Sequence, residues 1–314
     1  MKKNSKIYIA GHTGLLGSSL LKQLQQKGYE NLLTLSRDKL DLTDQRAVEN
    51  FFIDEQPEYV FLAAGMTGGI MANMKYPASF LSVNLAIQNN VFGAAQKYNV
   101  NNLVFYGSSC IYPKDSLQPI KEDYLFCGPI ETTSQAYATA KLAGVVACKS
   151  YNSQYQTNRF IALVPNSIFG PFDNFDPENS HVLASLLRKL HEAKRDGKAT
   201  ISLWGSGKPQ REFIFVDDVA DASIFAVQNS NKLKNHHYNL GSGQEVSIKG
   251  LAEMIKIIVC YQGEIVWDET KPDGTPRKLL DSSQFRQLGW KPTVKLEAGL
   301  QQTSAWYLRN HAKN

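Results

Sequence analysis

The sequence predicts an α/β fold, a doubly wound parallel sheet followed by a smaller C-terminal α/β domain. Three observations carry this reading. Short apolar or β-branched runs alternate with longer amphipathic stretches through the first 165 residues. A Gly-x-x-Gly-x-x-Gly turn separates the first run from the first amphipathic stretch. The chain has 314 residues, 43 % hydrophobic and 20 % charged, enough to bury a large core and fill about two domains of ~150 residues.

In order, residues 6–10 read as a strand and residues 15–27 as a helix ending at Gly28. Residues 32–35 form a second strand, and residues 47–55 a helix stopped by Pro57. Residues 59–63 are an apolar strand. The stretch 78–98 places Phe80, Leu81, Val83, Leu85, Ile87, Val91, Phe92 and Ala95 at helical spacing. Residues 103–106 and 160–164 are further strands. Strands that are apolar throughout, with helices between them, indicate a parallel sheet covered on both faces and linked by right-handed crossovers. After Pro165 the pattern loosens. Residues 166–180, rich in Asn, Pro, Asp and Phe, read as a long irregular loop, a kind that is uncommon unless it serves a function. A helix at 181–194, a strand at 200–204 and the turn Gly205-Ser206-Gly207 follow. Next come a strand at 211–216, a helix at 219–228, a strand at 238–240, a helix at 247–260 and a strand at 264–267. Residues 271–276 are loop.

The net charge is +5, and its Lys and Arg residues are dispersed. That argues against a nucleic-acid groove, which needs a clustered basic face, and fits a pocket for an anionic small molecule. No apolar run approaches the ~18 residues of a membrane helix, so no membrane partner is expected. The first residues are charged, and only residues 7–10 are apolar before Gly11, too short for a signal-peptide core. Cys110, Cys127, Cys148 and Cys260 show no Cys-x-x-Cys pairing. They read as reduced thiols of a cytoplasmic protein, with no metal site.

The turn Gly11-His12-Thr13-Gly14-Leu15-Leu16-Gly17 lies between a strand and a helix. Glycine lets the backbone approach a pyrophosphate, and the helix N-terminus offers free amides, as in Rossmann-type dinucleotide sites. The second strand ends at Ser36-Arg37 with no acid before Asp38. A guanidinium there suits a 2′-phosphate, which favours NADP over NAD; the alternative is a solvated surface arginine. Asp41 and Leu42 follow, within reach of an adenine. Further on, Tyr137 and Lys141 stand four residues apart on one helix face. Ser108 and Ser109 follow a strand at the sheet edge where ligands bind. A tyrosine of ordinary pKa is a poor acid–base group near neutrality. A nearby lysine and a nicotinamide's charge are expected to lower it.

More specific stretches are Gly68-Gly69-Ile70-Met71-Ala72-Asn73, Gly107-Ser108-Ser109-Cys110-Ile111-Tyr112-Pro113, residues 174–182, Trp204-Gly205-Ser206-Gly207, Arg211-Glu212-Phe213 with Val216-Asp217-Asp218, and residues 271–281. With these, the chain resembles the GDP-L-fucose synthase family of extended short-chain dehydrogenase/reductases over nearly its whole length. The resemblance implies an NADPH-dependent 3,5-epimerase/4-reductase of a GDP-4-keto-6-deoxy-mannose-type sugar. It implies a reductase triad of Ser108, Tyr137 and Lys141, with Cys110 as epimerase base and His181 as epimerase acid. It implies that Ala63, Ala64, Lys141, Pro165, Ile168 and His181 join the glycine turn at NADP(H). Ser109, Lys189, Trp204, Arg211 and Asp273 would contact the GDP-sugar. Trp204 read alone fits core packing equally well. His181 opens a helix and reads as a cap, where the dipole makes its imidazolium a better acid. A homodimer through the helices at 78–98 and 135–155 is also implied. The expected layout is a cofactor domain of residues 1–165, with elements near 212–241 returning to it, and a substrate domain of residues 166–314.

The chain departs from this family at Thr13, where a basic residue is usual. It also departs at Gly65-Met66, at Thr132-Thr133-Ser134-Gln135-Ala136, at Asn166-Ser167 and at Lys189, which stands for an arginine. Several of these fall near the expected sugar pocket. The alternatives kept open are therefore a C4 reductase of another GDP-4-keto sugar, such as a heptose, and a non-catalytic NADP-binding sensor.

Overall fold

The computed structural model describes residues 1–271 and 273–311; Pro272 of the 271–281 motif, and residues 312–314, lie outside the described residues. The chain runs β1 (Ile7–Ala10), α1 (Leu15–Gln26), β2 (Leu32–Leu33), α2 (Gln45–Glu55), β3 (Tyr59–Leu62), α3 (Ile70–Lys75), α4 (Pro77–Lys97) and β4 (Asn102–Tyr106). It continues through α5 (Gln135–Gln154), β5 (Phe160–Pro165), β6 (Ser167–Phe169), α6 (Val182–Arg195), β7 (Thr200–Trp204), β8 (Gln210–Phe215) and α7 (Val216–Gln228). The last elements are β9 (Tyr238–Leu240), β10 (Glu245–Ser247), α8 (Ile248–Val259), β11 (Glu264–Asp268), β12 (Arg277–Lys278), α9 (Ser283–Gln287) and α10 (Leu296–His311).

Six strands form a wholly parallel sheet in the order β2-β1-β3-β4-β5-β9. Its strands are buried on both faces because alternate side chains enter two different cores. Ile7 and Ile9 pack with Leu20 and Leu24 of α1 and Val219 of α7. Tyr8 and Ala10 pack on the opposite side with Phe52 of α2 and Val91 and Phe92 of α4. The same alternation runs through Val60, Phe61 and Leu62 and through Leu103, Val104 and Phe105. The chain moves from β1 to β2 and then crosses back to β3, so the strand order reverses at β1. The carboxyl ends of β1 and β3 lie at this switch point, where such sheets bind ligands.

A second sheet holds β8 between β10 and β12, with β6 also pairing β8. Strands β7 and β11 form a parallel pair. Helices α6, α8 and α10 cover this half through Leu183, Leu187, Leu190, Leu251, Ile255, Leu300 and Tyr307.

Several elements differ from the sequence reading. The edge strand β2, with one neighbour, leaves the sheet after Leu33 rather than Leu35. Residues 167–169, expected as loop, form β6. Helix α7 starts at Val216 rather than 219, which puts Asp217 and Asp218 in its first turn, where carboxylates suit the helix N-terminus. Asp218 also accepts hydrogen bonds from the amides of Thr293 and Val294. Residues 212–215 belong to the second sheet, while α7 and β9 pack on or extend the first. No helix among the described residues is long and apolar enough to cross a membrane.

Candidate active site

The glycine turn is built by close approach. Gly11 has φ +82°, a left-handed conformation that favours glycine, and a Cβ there would lie 2.8 Å from the amide nitrogen of Ala64. A Cβ on Gly17 would overlap the Gly11 carbonyl. Gly14 caps α1 in extended backbone, donates its amide to the Gly11 carbonyl at 3.1 Å, and brings no side chain to cover the helix N-terminus. The result is a bare helix start, beside Ala63 and Ala64, that fits a dinucleotide pyrophosphate. Thr13 and Gly14 are exposed and Leu15 is half-buried, whereas Leu16 and Gly17 are buried, so these two present backbone only. Arg37 has a side chain 79 % exposed, with Nε 3.6 Å from Asp41 Oδ2. Asp41 in turn accepts from the Thr43 amide and hydroxyl at 2.9 and 2.8 Å. Leu42 turns its side chain into the core beside α2 and α4, and its carbonyl accepts from Asn90, which leaves its backbone to face an adenine. Pro165 is buried at the end of β5, and Ile168 is half-buried on β6. Gly17→Ala is expected to abolish NADPH binding in a fluorescence titration and to destabilise the protein by about 2 kcal/mol in thermal unfolding, the scale of overpacking.

The catalytic candidates meet at the carboxyl end of β4. Ser108, in extended backbone, accepts the Cys110 amide at 3.3 Å and starts the short turn Ser109–Ile111. Ser109 is buried. Tyr112 donates to Asn239 Oδ1 at 2.6 Å, which ties this turn to β9. Helix α5 brings Tyr137 against Ser108, with the ring edge-on to Phe80 at 6.1 Å. One turn on, Lys141 is only 6 % exposed; its ammonium donates to the Tyr106 carbonyl at 2.9 Å and lies 5.9 Å from the Tyr137 ring centroid. In the protein alone, burial pushes the phenol well up, the neighbouring Cys110 adds to this, and only the Ser108 hydrogen bond opposes it; the expected lowering belongs to the site with a nicotinamide's charge beside the ring. Lys141 is itself pulled down to about 8 by burial.

Cys110 is the point where the two halves of the molecule converge. Burial works against its thiolate. The Lys278 ammonium, 3.8 Å from Sγ, and the hydroxyls of Ser108 and Ser134 outweigh it and hold the thiol below its ordinary value. Lys278 and Arg211 are register partners on the parallel strands β12 and β8, so their side chains share one face. Arg211 also feels the charges of Cys110 and Asp273. Asp273 accepts from the Ser206 amide and hydroxyl at 2.9 and 2.6 Å. Trp204, at the end of β7, is 59 % exposed and therefore is not core packing. Lys189 and Lys271 place ammonium groups 5.9 and 5.7 Å from its ring centroid.

His181 is the N-cap residue of α6 but makes no side-chain cap hydrogen bond. The residue as a whole is exposed, yet burial around its imidazole lowers it below the ordinary value. The approach to it is held by the Gly69 amide, which donates to the Asn179 carbonyl at 2.9 Å. Gly68 packs close to Phe80, the ring that backs Tyr137. The structure thus gathers Ser108, Cys110, Tyr137 and Lys141 with Arg211. Trp204 and Lys189 form a second group, and Arg37 stands with Asp41 after β2. Sequence reasoning missed Lys278 and Ser134, although both lie in stretches it singled out.

Residues 7–241 match the NAD dependent epimerase/dehydratase family. The chain belongs to that family. The chain is 50 % identical over 308 residues to GDP-L-fucose synthase 1 of Arabidopsis thaliana, covering 98 % of this chain and 94 % of the plant protein. It superposes with a TM-score of 0.93 on a GDP-6-OMe-4-keto-L-xylo-heptose reductase from C. jejuni, at 41 % identity and covering 99 % of both chains. It superposes with a TM-score of 0.89 on a GDP-mannoheptose C4 reductase from Campylobacter jejuni with NADP bound, at 42 % identity and covering 98 % of this chain and 99 % of that one. The resemblance read from the motifs is borne out.

Proposed function

We propose that this protein is an NADPH-dependent 3,5-epimerase/4-reductase of a GDP-linked 4-keto-6-deoxy-mannose-type sugar, giving GDP-L-fucose or a close relative. The observation that carries the reading is the Cys110 thiol, held between the Ser108–Tyr137 pair and the cations Lys278 and Arg211. Groups for both half-reactions then serve one sugar. Cys110 removes a proton beside the C4 carbonyl, at C3 and at C5. Ser108 and Tyr137 hydrogen-bond the oxygen where enolate charge develops. His181, free of any capping bond, returns each proton from the opposite face. Tyr137 then gives its proton to O4, with Lys141 beside it to offset the charge left behind.

A bound NADPH supplies hydride to C4. The glycine turn (Gly11, Thr13, Gly14, Leu15, Leu16, Gly17), Ala63 and Ala64 would hold its pyrophosphate, and Arg37 with Asp41 its adenosine end. Lys141, Pro165, Ile168 and His181 would flank the nicotinamide half. On the substrate side, the exposed Trp204 ring would take the guanine, with the Lys189 and Lys271 ammonium groups beside it. Lys189 and Arg211 offer cations for the diphosphate, Asp273 a carboxylate and Ser109 a backbone contact. Residues 1–165, with 216–241, would bind the cofactor, and the remainder the GDP-sugar. Association as a homodimer through α4 and α5, in the cytoplasm, completes the reading.

A second reading, C4 reduction of a GDP-4-keto-heptose, is favoured by the two C. jejuni neighbours and by the departures at residues 132–136. Incubation with NADPH and either GDP-4-keto sugar in deuterated water separates the two. The first reading expects NADPH oxidation with the deoxyhexose and deuterium at C3 and C5. Oxidation with the heptose alone, or no deuterium uptake, overturns it.

Epimerisation should also show a bell-shaped pH profile. It needs thiolate and imidazolium together, and the site holds both groups below their ordinary values. Falling pH removes the thiolate and rising pH removes the imidazolium, so deuterium uptake measured against pH should peak on the acid side of where the free groups would place it.

A further inference from the structure

Glu212 is completely buried on β8, yet among the described residues no lysine or arginine donates a hydrogen bond to it. Its Oε2 accepts from Asn166 Nδ2 at 2.6 Å and from the Leu280 amide at 3.0 Å, and its Oε1 from the Gly243 amide at 2.6 Å. Asn166 Nδ2 also reaches the Lys278 carbonyl at 3.3 Å. The pair therefore grips the chain at Lys278 and again at Leu280. Strand β12 itself is only two residues long and pairs with β8 only at Gln210 and Arg211, so its ladder alone is a weak anchor. Glu212 lies just past that pairing, where β12 ends beside β8 and β6 begins. Burying a carboxyl here carries a large desolvation cost that three hydrogen bonds and nearby Arg286 offset only in part, so the group is held above its ordinary value. A strand end that needed only packing would be held as well by an apolar side chain.

We propose that Glu212 and Asn166 are a positioning pair that fixes Lys278 alongside Arg211 at the Cys110 thiol, and so set the reactivity of the epimerase base. Lys278 carries its charge on a long flexible stem, and a shift of a few ångströms in its backbone would remove it from Sγ. The groups facing Cys110 are Lys278 from β12, Arg211 from β8, Tyr137 from α5, and the hydroxyls of Ser108 and Ser134. Those facing Glu212 are Asn166 and the Arg286 side chain. Lys278 is the cation in direct contact with the sulfur, so its backbone anchor controls the thiol.

The catalytic role of Cys110 rests on the function proposed above; the positioning claim has its own readout. In a Cys127→Ser/Cys260→Ser background, which removes the exposed thiols, the rate of Cys110 alkylation by iodoacetamide is followed against pH. Lys278→Met gives the midpoint without the ammonium. Glu212→Gln keeps the shape but turns an amide N–H toward a backbone donor, and Asn166→Ala releases the Lys278 carbonyl while leaving Glu212 its two backbone partners. Both are expected to raise the midpoint by about one pH unit toward the Lys278→Met value, the lower end of what a close cation does to an acid. If Glu212→Gln fails to fold, Asn166→Ala decides. An unchanged midpoint in the folded variants, with only a lower melting temperature, would mean a purely structural role and would overturn the proposal. An unchanged midpoint in Lys278→Met would overturn it as well. Absence of deuterium uptake by the unmodified protein would overturn the epimerase reading and leave the midpoint test standing.

Discussion

Tyr137→Phe is expected to slow C4 reduction about a thousandfold, roughly 4 kcal/mol of barrier, within the usual range for loss of a general acid. The ring keeps its edge-on contact with Phe80, so the fold should be retained. What disappears is the one proton donor placed against Ser108 with an ammonium beneath it. Burial keeps the phenol protonated across the neutral range and makes it a weaker acid, so its proton is expected to move only as hydride transfer builds an alkoxide at O4. Epimerisation should respond differently. The enolate oxygen loses one hydrogen bond and keeps Ser108, so deuterium uptake at C3 and C5 should fall by about tenfold, the worth of one charge-assisted bond. NADPH oxidation and deuterium uptake, measured on the same sample, separate the two effects. Equal losses in both would contradict the assignment of Tyr137 to the reductive step.

Cys110→Ser should do the reverse. A serine hydroxyl is far too weak an acid to supply an anion at neutral pH even beside Lys278, and deuterium uptake should drop at least a thousandfold. Reduction should survive within a few-fold, because Ser108, Tyr137 and Lys141 are unaltered. The product would then be the sugar reduced at C4 with C3 and C5 uninverted, which NMR of the isolated nucleotide sugar identifies. Inverted product from this variant would remove Cys110 from the mechanism.

The parts of this site that were legible in the sequence are those written locally. The glycine turn needs only a strand, three glycines and a helix. Tyr137 and Lys141 need only helical periodicity, and β1, β3, β4 and β5 announce themselves as apolar runs. The remainder depends on pairing between distant segments. Lys278 reaches Cys110 because β12 adopts one register against β8, and nothing in residues 271–281 alone states that register. Glu212 reads as an ordinary charged residue in a strand until Asn166, Gly243 and Leu280 are brought around it. Strand β6 was hidden because its neighbours, Asn166 and Gly170-Pro171, read as loop. Helix α3 was hidden because Ile70, Met71 and Met74 face solvent and give no amphipathic pattern.

The open position of Trp204 has an optical consequence. Of the chain's four tryptophans, Trp290 is buried, Trp306 packs against Phe172 and Phe175, and Trp267 is packed against the core of the second half. Trp204 alone combines a largely exposed ring with two ammonium groups over it. Its emission is expected to be the red, water-relaxed component of the protein's fluorescence, and a purine stacking on it should quench that component. With the guanine placed on Trp204 as proposed above, this ring would act as a built-in reporter for occupation of the nucleotide-sugar side, distinct from any signal given by a reduced nicotinamide.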